Sequence, residues 1–157
     1  MTIIGQNRAQ RIGRLILASE KNLMLVGPSG HGKSLLARGL AGGIFLSLEH
    51  PDPPLELLEF FEWNNSSRKL VCDEIHICTR QDEWALFLDT FAGLTIFTTT
   101  NPEKVNESIR TRCILVELDP YTQKELAEIS GVVGRHGKII AKLSRGIPRR
   151  AKNLGTI

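Results

Sequence analysis

Four apolar residues stand together at 23–26 with no polar residue among them, and a glycine-rich stretch follows at once. An uninterrupted apolar run of this length predicts a strand that is buried on both faces, as in a parallel sheet. Apolar residues then recur with helical spacing at 34–40. The pattern therefore predicts a strand, a tight loop and a helix, in that order.

Strand and helix patterns alternate along the rest of the chain, which predicts an α/β fold: a five-stranded parallel sheet with helices on both faces. The other four strands are predicted at 44–48, from 70, from 94 and at 113–118. Helices are predicted at 7–19, 55–63, 81–91 and, as a short segment, 107–112. Pro120 marks a boundary between a core domain, 1–119, and a small helical lid, 120–157. Within the lid, helices are predicted at 122–130, at 135–144 and from Pro148.

The residues between the first strand and its helix match the phosphate-binding pattern G-x-x-x-x-G-K-[ST], called Walker A. Glycine is needed there because a loop around a phosphate points its backbone N–H groups inward, with positive φ angles. We expect Lys33 to reach the β- and γ-phosphates and the Ser34 hydroxyl to bind Mg²⁺; an ordinary glycine-rich turn is the alternative. The predicted nucleotide-binding residues of this glycine-rich loop are Gly27, Pro28, Ser29, Gly30, His31, Gly32, Lys33, Ser34 and Leu35.

Two carboxylates, Asp73 and Glu74, follow the apolar run that starts at residue 70. The carboxyl end of a parallel strand faces the crevice in which α/β sheets bind ligands. Asp73 is then placed to hold Mg²⁺, together with Ser34, and Glu74 to orient and deprotonate an attacking water. Such a pair is a weak signal alone, but it is a strong one about forty residues after a phosphate-binding loop. The predicted cofactors are ATP and Mg²⁺.

The charge of the chain is uneven. The net charge of the whole chain is +3. The segment after Glu128 contains seven lysines and arginines and no acidic residue, so residues 1–128 have a net charge of −4. A basic end on an acidic body indicates contact with phosphate, from a nucleotide or a nucleic acid. A solvated helix face is the alternative for most of these residues.

Composition and length limit the class of protein. The chain has 157 residues, of which 41% are hydrophobic and 24% charged, and these values are typical of a globular domain with a sizeable core. It contains no run of 18 apolar residues, and its first residues lack the order of a signal peptide. We therefore expect a cytoplasmic protein with no membrane partner, and the small size favours a viral or mobile-element source.

Several further segments resemble, in the right order, motifs of AAA+ ATPases of the clamp-loader and Holliday-junction branch-migration (RuvB-like) group. The resemblance covers nearly the whole chain, and it implies a P-loop NTPase fold. The matching segments are 3–6 (the box beside the adenine), 73–76 (Walker B), 99–104 (sensor 1), 111–113 (arginine finger), and 121–129 with 146–151 (the lid and its sensor 2 helix).

The resemblance implies roles for residues around the nucleotide of the same subunit. Gly5 and Gln6 would border the adenine. Thr100 would be sensor 1, with Asn101 as the alternative, and Arg149 would be sensor 2, which contacts the nucleotide from the lid.

The resemblance also implies a residue that acts on the neighbouring subunit. Arg112 would be an arginine finger that reaches the γ-phosphate bound by the neighbour, with Arg110 as the alternative. A finger of this kind implies a homo-oligomer, a ring or a filament, for which six subunits is the expected number. The implied catalytic residues are Lys33, Glu74, Thr100 and Arg112.

The chain also departs from its relatives. Only a helix and a turn fit between Glu74 and Leu94, so the β-hairpin that branch-migration ATPases insert there is expected to be missing. The loop 49–54 has no aromatic residue of the kind that unfoldases use to thread polypeptides. We expect a minimal ATP-hydrolysing motor that acts on DNA in replication, recombination, branch migration or helicase loading. The alternative is a nucleotide-controlled protein adaptor or remodeller that does not bind DNA.

Overall fold

The computed structural model describes residues 3–42, 45–48 and 69–156. Five strands form one sheet, in which every pair of neighbours is parallel. The strands are β1 (Asn22–Val26), β2 (Leu46–Leu48), β3 (Lys69–Cys72), β4 (Leu94–Thr99) and β5 (Cys113–Glu117). Their order across the sheet is β2-β3-β4-β1-β5. The predicted five-stranded parallel sheet is confirmed, with β1 between β4 and β5.

The described residues contain seven α-helices, which are α1 (Asn7–Ala18), α2 (Lys33–Ala41), α3 (Gln81–Thr90), α4 (Glu107–Arg110), α5 (Gln123–Ser130), α6 (Gly134–Leu143) and α7 (Pro148–Gly155). Short 3₁₀ helices lie at Ile75–Ile77 and Pro102–Lys104. The segment predicted as a helix over 107–112 ends earlier, at Arg110, and a turn leads from there into β5. The predicted helix 55–63 and the loop 49–54 lie outside the described residues.

The hydrophobic core has two layers, one on each face of the sheet. Along β1, Leu23 and Leu25 belong to the layer that also contains buried residues of α1 and α2. Met24 and Val26 belong to the layer that contains buried residues of α3 and α4. Successive side chains of a strand point to opposite faces, so a strand that is covered on both faces must be apolar throughout.

Helix α3 covers one face of the sheet with an aromatic cluster. Trp84 packs edge-on against Phe97 of β4 and Phe87, with ring centroids 5.4 and 5.7 Å apart, and Phe87 stacks on Phe91. The apolar stripe predicted for this helix is therefore part of the core. Residues 73–93 connect the end of β3 to the start of β4, and their regular structure is one short 3₁₀ helix and α3. This described part of the chain contains no β-hairpin, as predicted.

Helices α5, α6 and α7 pack together around Leu126, Ala141 and Ala151, a small core of their own. Thr122 caps α5, because its Oγ1 accepts a hydrogen bond of 3.1 Å from the backbone N–H of Glu125. Pro148 opens α7 as predicted. The division into a core and a lid at residue 119 remains a prediction. In the part of the chain that is described, no helix has the length and hydropathy needed to cross a membrane.

Candidate active site

The glycine-rich loop joins the carboxyl end of β1 to the amino end of α2, as predicted. Gly30 and Gly32 both have a φ angle of +80°, which glycine adopts without strain. Lys33 opens α2 and is only 5% exposed, and its Nζ donates a hydrogen bond of 3.0 Å to the carbonyl oxygen of Pro28. Burial lowers the pKa of Lys33, and the nearby Glu74 carboxylate opposes that effect. The loop thus holds an amine at the amino end of a helix, where an anion is stabilised.

Ser34, Asp73 and Thr98 meet at the carboxyl ends of the central strands. Ser34 Oγ donates a hydrogen bond of 2.8 Å to Asp73 Oδ1, and Thr98 Oγ1 donates one of 3.0 Å to the same oxygen. The second carboxylate oxygen, Oδ2, lies 3.8 Å from a guanidinium nitrogen of Arg38. Hydroxyl and carboxylate oxygens are the ligands that Mg²⁺ prefers. The residues predicted to bind the metal therefore lie in contact, and their donor set fits Mg²⁺.

Glu74 and His76 extend this site towards the end of β4. Glu74 has a φ angle of +54°, and its backbone N–H donates a hydrogen bond of 3.1 Å to Thr98 Oγ1. Its Oε2 lies 3.4 Å from His76 Nε2. The same ring contacts Thr99 Oγ1 at 2.9 Å through Nδ1 and Thr100 Oγ1 at 3.4 Å through Nε2. Two predicted catalytic residues, Glu74 and Thr100, are thus connected through His76.

The two candidates for sensor 1 contact the site in different ways. Thr100 reaches His76 with its side chain. Asn101 makes its contact through the backbone, with its N–H 3.1 Å from Thr99 Oγ1. The choice of Thr100 over Asn101 stays a prediction.

The predicted box beside the adenine packs against the start of the lid. The side-chain amide of Gln6 forms two hydrogen bonds with the backbone of Asp119, of 2.7 Å to its carbonyl oxygen and 2.9 Å from its N–H. Gly5 has a φ angle of +76°, and a Cβ there would collide with the Glu125 carboxylate and lie 3.1 Å from the Tyr121 ring. The positive φ angle therefore favours glycine at position 5, whereas the Glu125 carboxylate, at the end of a flexible side chain, could move aside.

The lid contacts the glycine-rich loop at two points. Tyr121 donates a hydrogen bond of 2.8 Å from its hydroxyl to the carbonyl oxygen of His31, and burial raises the pKa of this phenol. The backbone N–H of Arg149 donates one of 3.2 Å to the carbonyl oxygen of Gly30. The predicted sensor 2 residue therefore lies beside the loop, at the amino end of α7.

Arg112 lies at the other end of the strands. Cys113, the next residue, pairs with Asn22 at the amino end of β1, whereas the glycine-rich loop follows the carboxyl end of β1. Arg112 forms a two-point ion pair with Asp89, of 2.7 and 2.9 Å, and donates a third hydrogen bond to the carbonyl oxygen of Ser108. A five-residue strand is about 16 Å long, so Arg112 is far from its own loop.

Arg110, the alternative finger, has an inward contact. Its Nε donates a hydrogen bond of 3.0 Å to the carbonyl oxygen of Val105, within the same turn of chain. Arg112 is the more exposed of the two.

Three further residues of the site, Thr98, His76 and Tyr121, had no role predicted for them from the sequence. Thr98 follows Phe97, which pairs with Cys72, so it stands beside Asp73 in the parallel register. A prediction of that register would have found it. Nothing in the sequence indicates that Tyr121 turns back to the loop or that His76 touches the end of β4.

Part of the basic surface of the lid borders a groove. Lys124, Lys138 and Lys142 line a space of about 970 Å³ between α5 and α6. Val132 and Val133 are also in the lining, and Val133 is 89% exposed. These lysines therefore flank an apolar surface as well as facing solvent.

Comparisons with known proteins support the fold that carries this site. The family described as magnesium chelatase, subunit ChlI, matches residues 1–64. Among solved structures, the Holliday junction branch migration motor RuvB of Thermotoga maritima matches with 25% identity and a TM-score of 0.80, over 98% of this chain and 61% of that one. Two mutant forms of the same RuvB match with TM-scores of 0.84 and 0.78, at 24% and 26% identity, over 98% of this chain and 62% and 61% of theirs. No curated protein sequence matches the chain.

The chain spans about three fifths of the length of these RuvB structures. Their likeness to it extends over the sheet, the helices on both faces and the three helices that follow.

Proposed function

Because the chain has the P-loop AAA+ fold of RuvB, we propose that it is an ATPase that works as an oligomeric motor in DNA processing. The observation that carries the proposal is the contact of Ser34 with Asp73, beside the buried amine of Lys33. Two segments that are distant in sequence, 27–35 and 73–74, would supply an anion site, a hard metal site and a carboxylate base within one crevice.

Each of these groups has a part in hydrolysis. The N–H groups of the glycine-rich loop and the Lys33 ammonium would bind the phosphates of ATP, and Ser34 and Asp73 would hold Mg²⁺. Bound Mg²⁺ would neutralise charge on the β- and γ-phosphates. Glu74 would orient a water molecule and take its proton, and the products would be ADP and phosphate. Thr100 and Arg149 would contact the nucleotide as sensors.

The position of Arg112 supports an active site that two subunits share. Charge that develops on the γ-phosphate must be met at hydrogen-bond distance, and Arg112 lies at the far end of β1 from its own loop. A neighbouring subunit would therefore receive it, in a homo-oligomer that we expect to be a ring of six.

Two observations support DNA as the substrate of the motor. The solved structures that the chain resembles are of a protein described as a Holliday junction branch migration motor. The seven basic residues after Glu128, with no acidic residue among them, would provide phosphate contacts.

The groove on the lid favours a second function. Lysines beside an exposed apolar surface suit an acidic, partly apolar polypeptide better than a DNA backbone, which offers no apolar face. The chain would then be a nucleotide-controlled protein adaptor. Stimulation of the ATPase by duplex or branched DNA, with an affinity that falls steeply as salt rises, would support the motor on DNA over the adaptor.

Subunit mixing tests the shared site. We expect Lys33→Ala to lose ATP binding, and Glu74→Gln and Arg112→Ala each to bind ATP without turnover, because the last two groups act only as the bond breaks. Fingers supplied by a neighbour contribute about 10³ to 10⁵ in rate. Mixed Glu74→Gln and Arg112→Ala subunits should recover activity, because some interfaces combine an intact Glu74 with an intact Arg112.

Arg110→Ala is the matched control and should keep its turnover without mixing. Specific activity of the normal protein should also rise with its concentration as subunits assemble. If mixing restores nothing and activity is independent of concentration, the site lies within one subunit and the proposal of a trans finger is wrong.

A further inference from the structure

The segment 73–76 contains three polar residues, Asp73, Glu74 and His76. The proposed mechanism gives a role to the two carboxylates but none to His76. Its side chain is 11% exposed, whereas that of its neighbour Glu74 is 39% exposed. Both ring nitrogens have polar neighbours: Thr99 Oγ1 lies 2.9 Å from Nδ1, and Glu74 Oε2 lies 3.4 Å from Nε2. A ring with partners on both sides is held in one orientation.

The partners also decide where the ring carries its proton. Nε2 lies 3.4 Å from Glu74 Oε2 and also 3.4 Å from Thr100 Oγ1. An ionised carboxylate only accepts hydrogen bonds, so a hydrogen bond to Glu74 would place the proton on Nε2. Nδ1 is then an acceptor in the neutral ring, and the Thr99 hydroxyl donates to it. Thr99 Oγ1 in turn accepts from the backbone N–H of Asn101. With the proton on Nε2, the contacts would form a directed series of hydrogen bonds from Asn101 through Thr99 and His76 to Glu74.

We propose that His76 is a positioning residue, which holds the Glu74 carboxylate for catalysis and connects its orientation to the 99–101 segment at the end of β4. The inference rests on the proposed role of Glu74 as the base. His76 reaches no residue of the glycine-rich loop in the described structure; its contacts are with Glu74, with Thr99 and with the proposed sensor Thr100.

The contacts determine the expected effect of removing the ring. Glu74 keeps its backbone position, because its N–H bonds to Thr98. Its exposed carboxylate, however, loses the ring nitrogen 3.4 Å away and gains rotational freedom. Misplacement of a catalytic group by about 1 Å can reduce a rate by about 100-fold. We expect His76→Ala to lower kcat by about 10- to 100-fold with little change in KM or in the affinity for ATP.

Two variants separate the steps of the series. His76→Gln keeps an N–H donor that can reach Glu74 and should recover part of the lost kcat. Thr99→Val removes only the hydroxyl that donates to Nδ1, and it should lower kcat by less than His76→Ala does. The effects of His76→Ala and Thr99→Val should not multiply when the two are combined. His136→Ala, an exposed histidine of α6, is the control and should behave like the normal protein.

The experiment measures kcat, KM, ATP affinity and thermal unfolding for each variant. If His76 acts through Glu74, His76→Ala lowers kcat and leaves the other three quantities unchanged. A normal turnover of Glu74→Gln would instead overturn the proposed function itself.

If Glu74→Gln is inactive while His76→Ala turns over normally, the base assignment stands and the role of His76 is wrong. Loss of ATP affinity or of thermal stability in step with kcat would also overturn it, because those losses indicate a structural role. Should His76→Ala fail to fold, His76→Gln and Thr99→Val decide: equal, normal kcat values in both would overturn the proposal.

Discussion

Two threonines of β4 offer a direct test of the hydrogen bonds under the active site. Thr95 and Thr98 are both completely buried. Thr98 Oγ1 donates to Asp73 and accepts from the backbone N–H of Glu74. Thr95 Oγ1, on the same strand, has no hydrogen-bond partner among the described residues. The change of threonine to valine keeps the shape and removes only the hydroxyl, so the two substitutions differ in what that hydroxyl does.

The structure gives opposite signs for the two changes in the free energy of unfolding. Thr98→Val loses a hydrogen bond to a charged group, worth about 1.5 to 3 kcal/mol, and leaves the Glu74 N–H without its acceptor. We expect a net destabilisation of about 2 to 4 kcal/mol. Thr95→Val removes a buried hydroxyl that is desolvated without compensation, and it should stabilise the fold by about 1 to 2 kcal/mol.

Thermal unfolding without nucleotide, supported by urea titration, measures both effects. A domain of this size changes its Tm by about 2 to 4 °C per kcal/mol, so the two variants should differ by about 6 to 24 °C. The urea m-values should stay equal, since the area exposed on unfolding is unchanged. Tm shifts in the same direction for both variants, or a Tm of Thr98→Val equal to that of the normal protein, would contradict these roles of the two hydroxyl groups.

Two further predictions concern the glycine-rich loop and the partly buried thiol of Cys113. Gly30→Ala should lower the free energy of unfolding by more than Gly131→Ala does. Both glycines have a positive φ angle, so both substitutions add a strain of about 1 to 2 kcal/mol, but only at Gly30 would the new Cβ lie 3.2 Å from Ile147 and 3.3 Å from Arg149. Equal denaturation midpoints for the two variants would contradict this close contact. Burial raises the pKa of Cys113 to about 12. At pH 8 the thiolate fraction of Cys113 is therefore about a thousandfold below that of an ordinary thiol, and iodoacetamide should label it slowly. The labelling rate should rise about tenfold per pH unit as long as the protein stays folded. Peptide mapping measures that rate, and labelling as fast as in the unfolded chain would show that the thiol is not buried.

The positions of Lys33, Ser34 and Asp73 follow from local sequence. The glycine pattern follows one short apolar run, and the acidic pair follows another. Each of these patterns marks the carboxyl end of a strand, and in a parallel sheet the carboxyl ends of the strands lie along one edge. This logic predicts that the three residues meet, and the contact of Ser34 with Asp73 is observed.

The contacts of Thr98, His76 and Arg112 could not be predicted in the same way. The first depends on the register of β4 against β3, which an apolar strand buried on both faces does not reveal. The positive φ of Glu74, a non-glycine residue, directs the chain so that His76 faces β4, and no sequence pattern indicates it. The ion pair of Arg112 with Asp89 joins residues 23 apart on different elements.

The contacts of Tyr121 and Arg149 with the glycine-rich loop make the lid and the loop a thermodynamically linked pair. Such linkage is reciprocal: when a ligand binds a loop with a docked lid more tightly by some factor, its presence favours docking by that same factor. Loss of a hydrogen bond between lid and loop should therefore change two quantities: the affinity of the loop for its ligand and the fraction of molecules in which the three helices are docked. If the glycine-rich loop binds ATP as proposed, residues 120–156 would in this way respond to whether the nucleotide is bound.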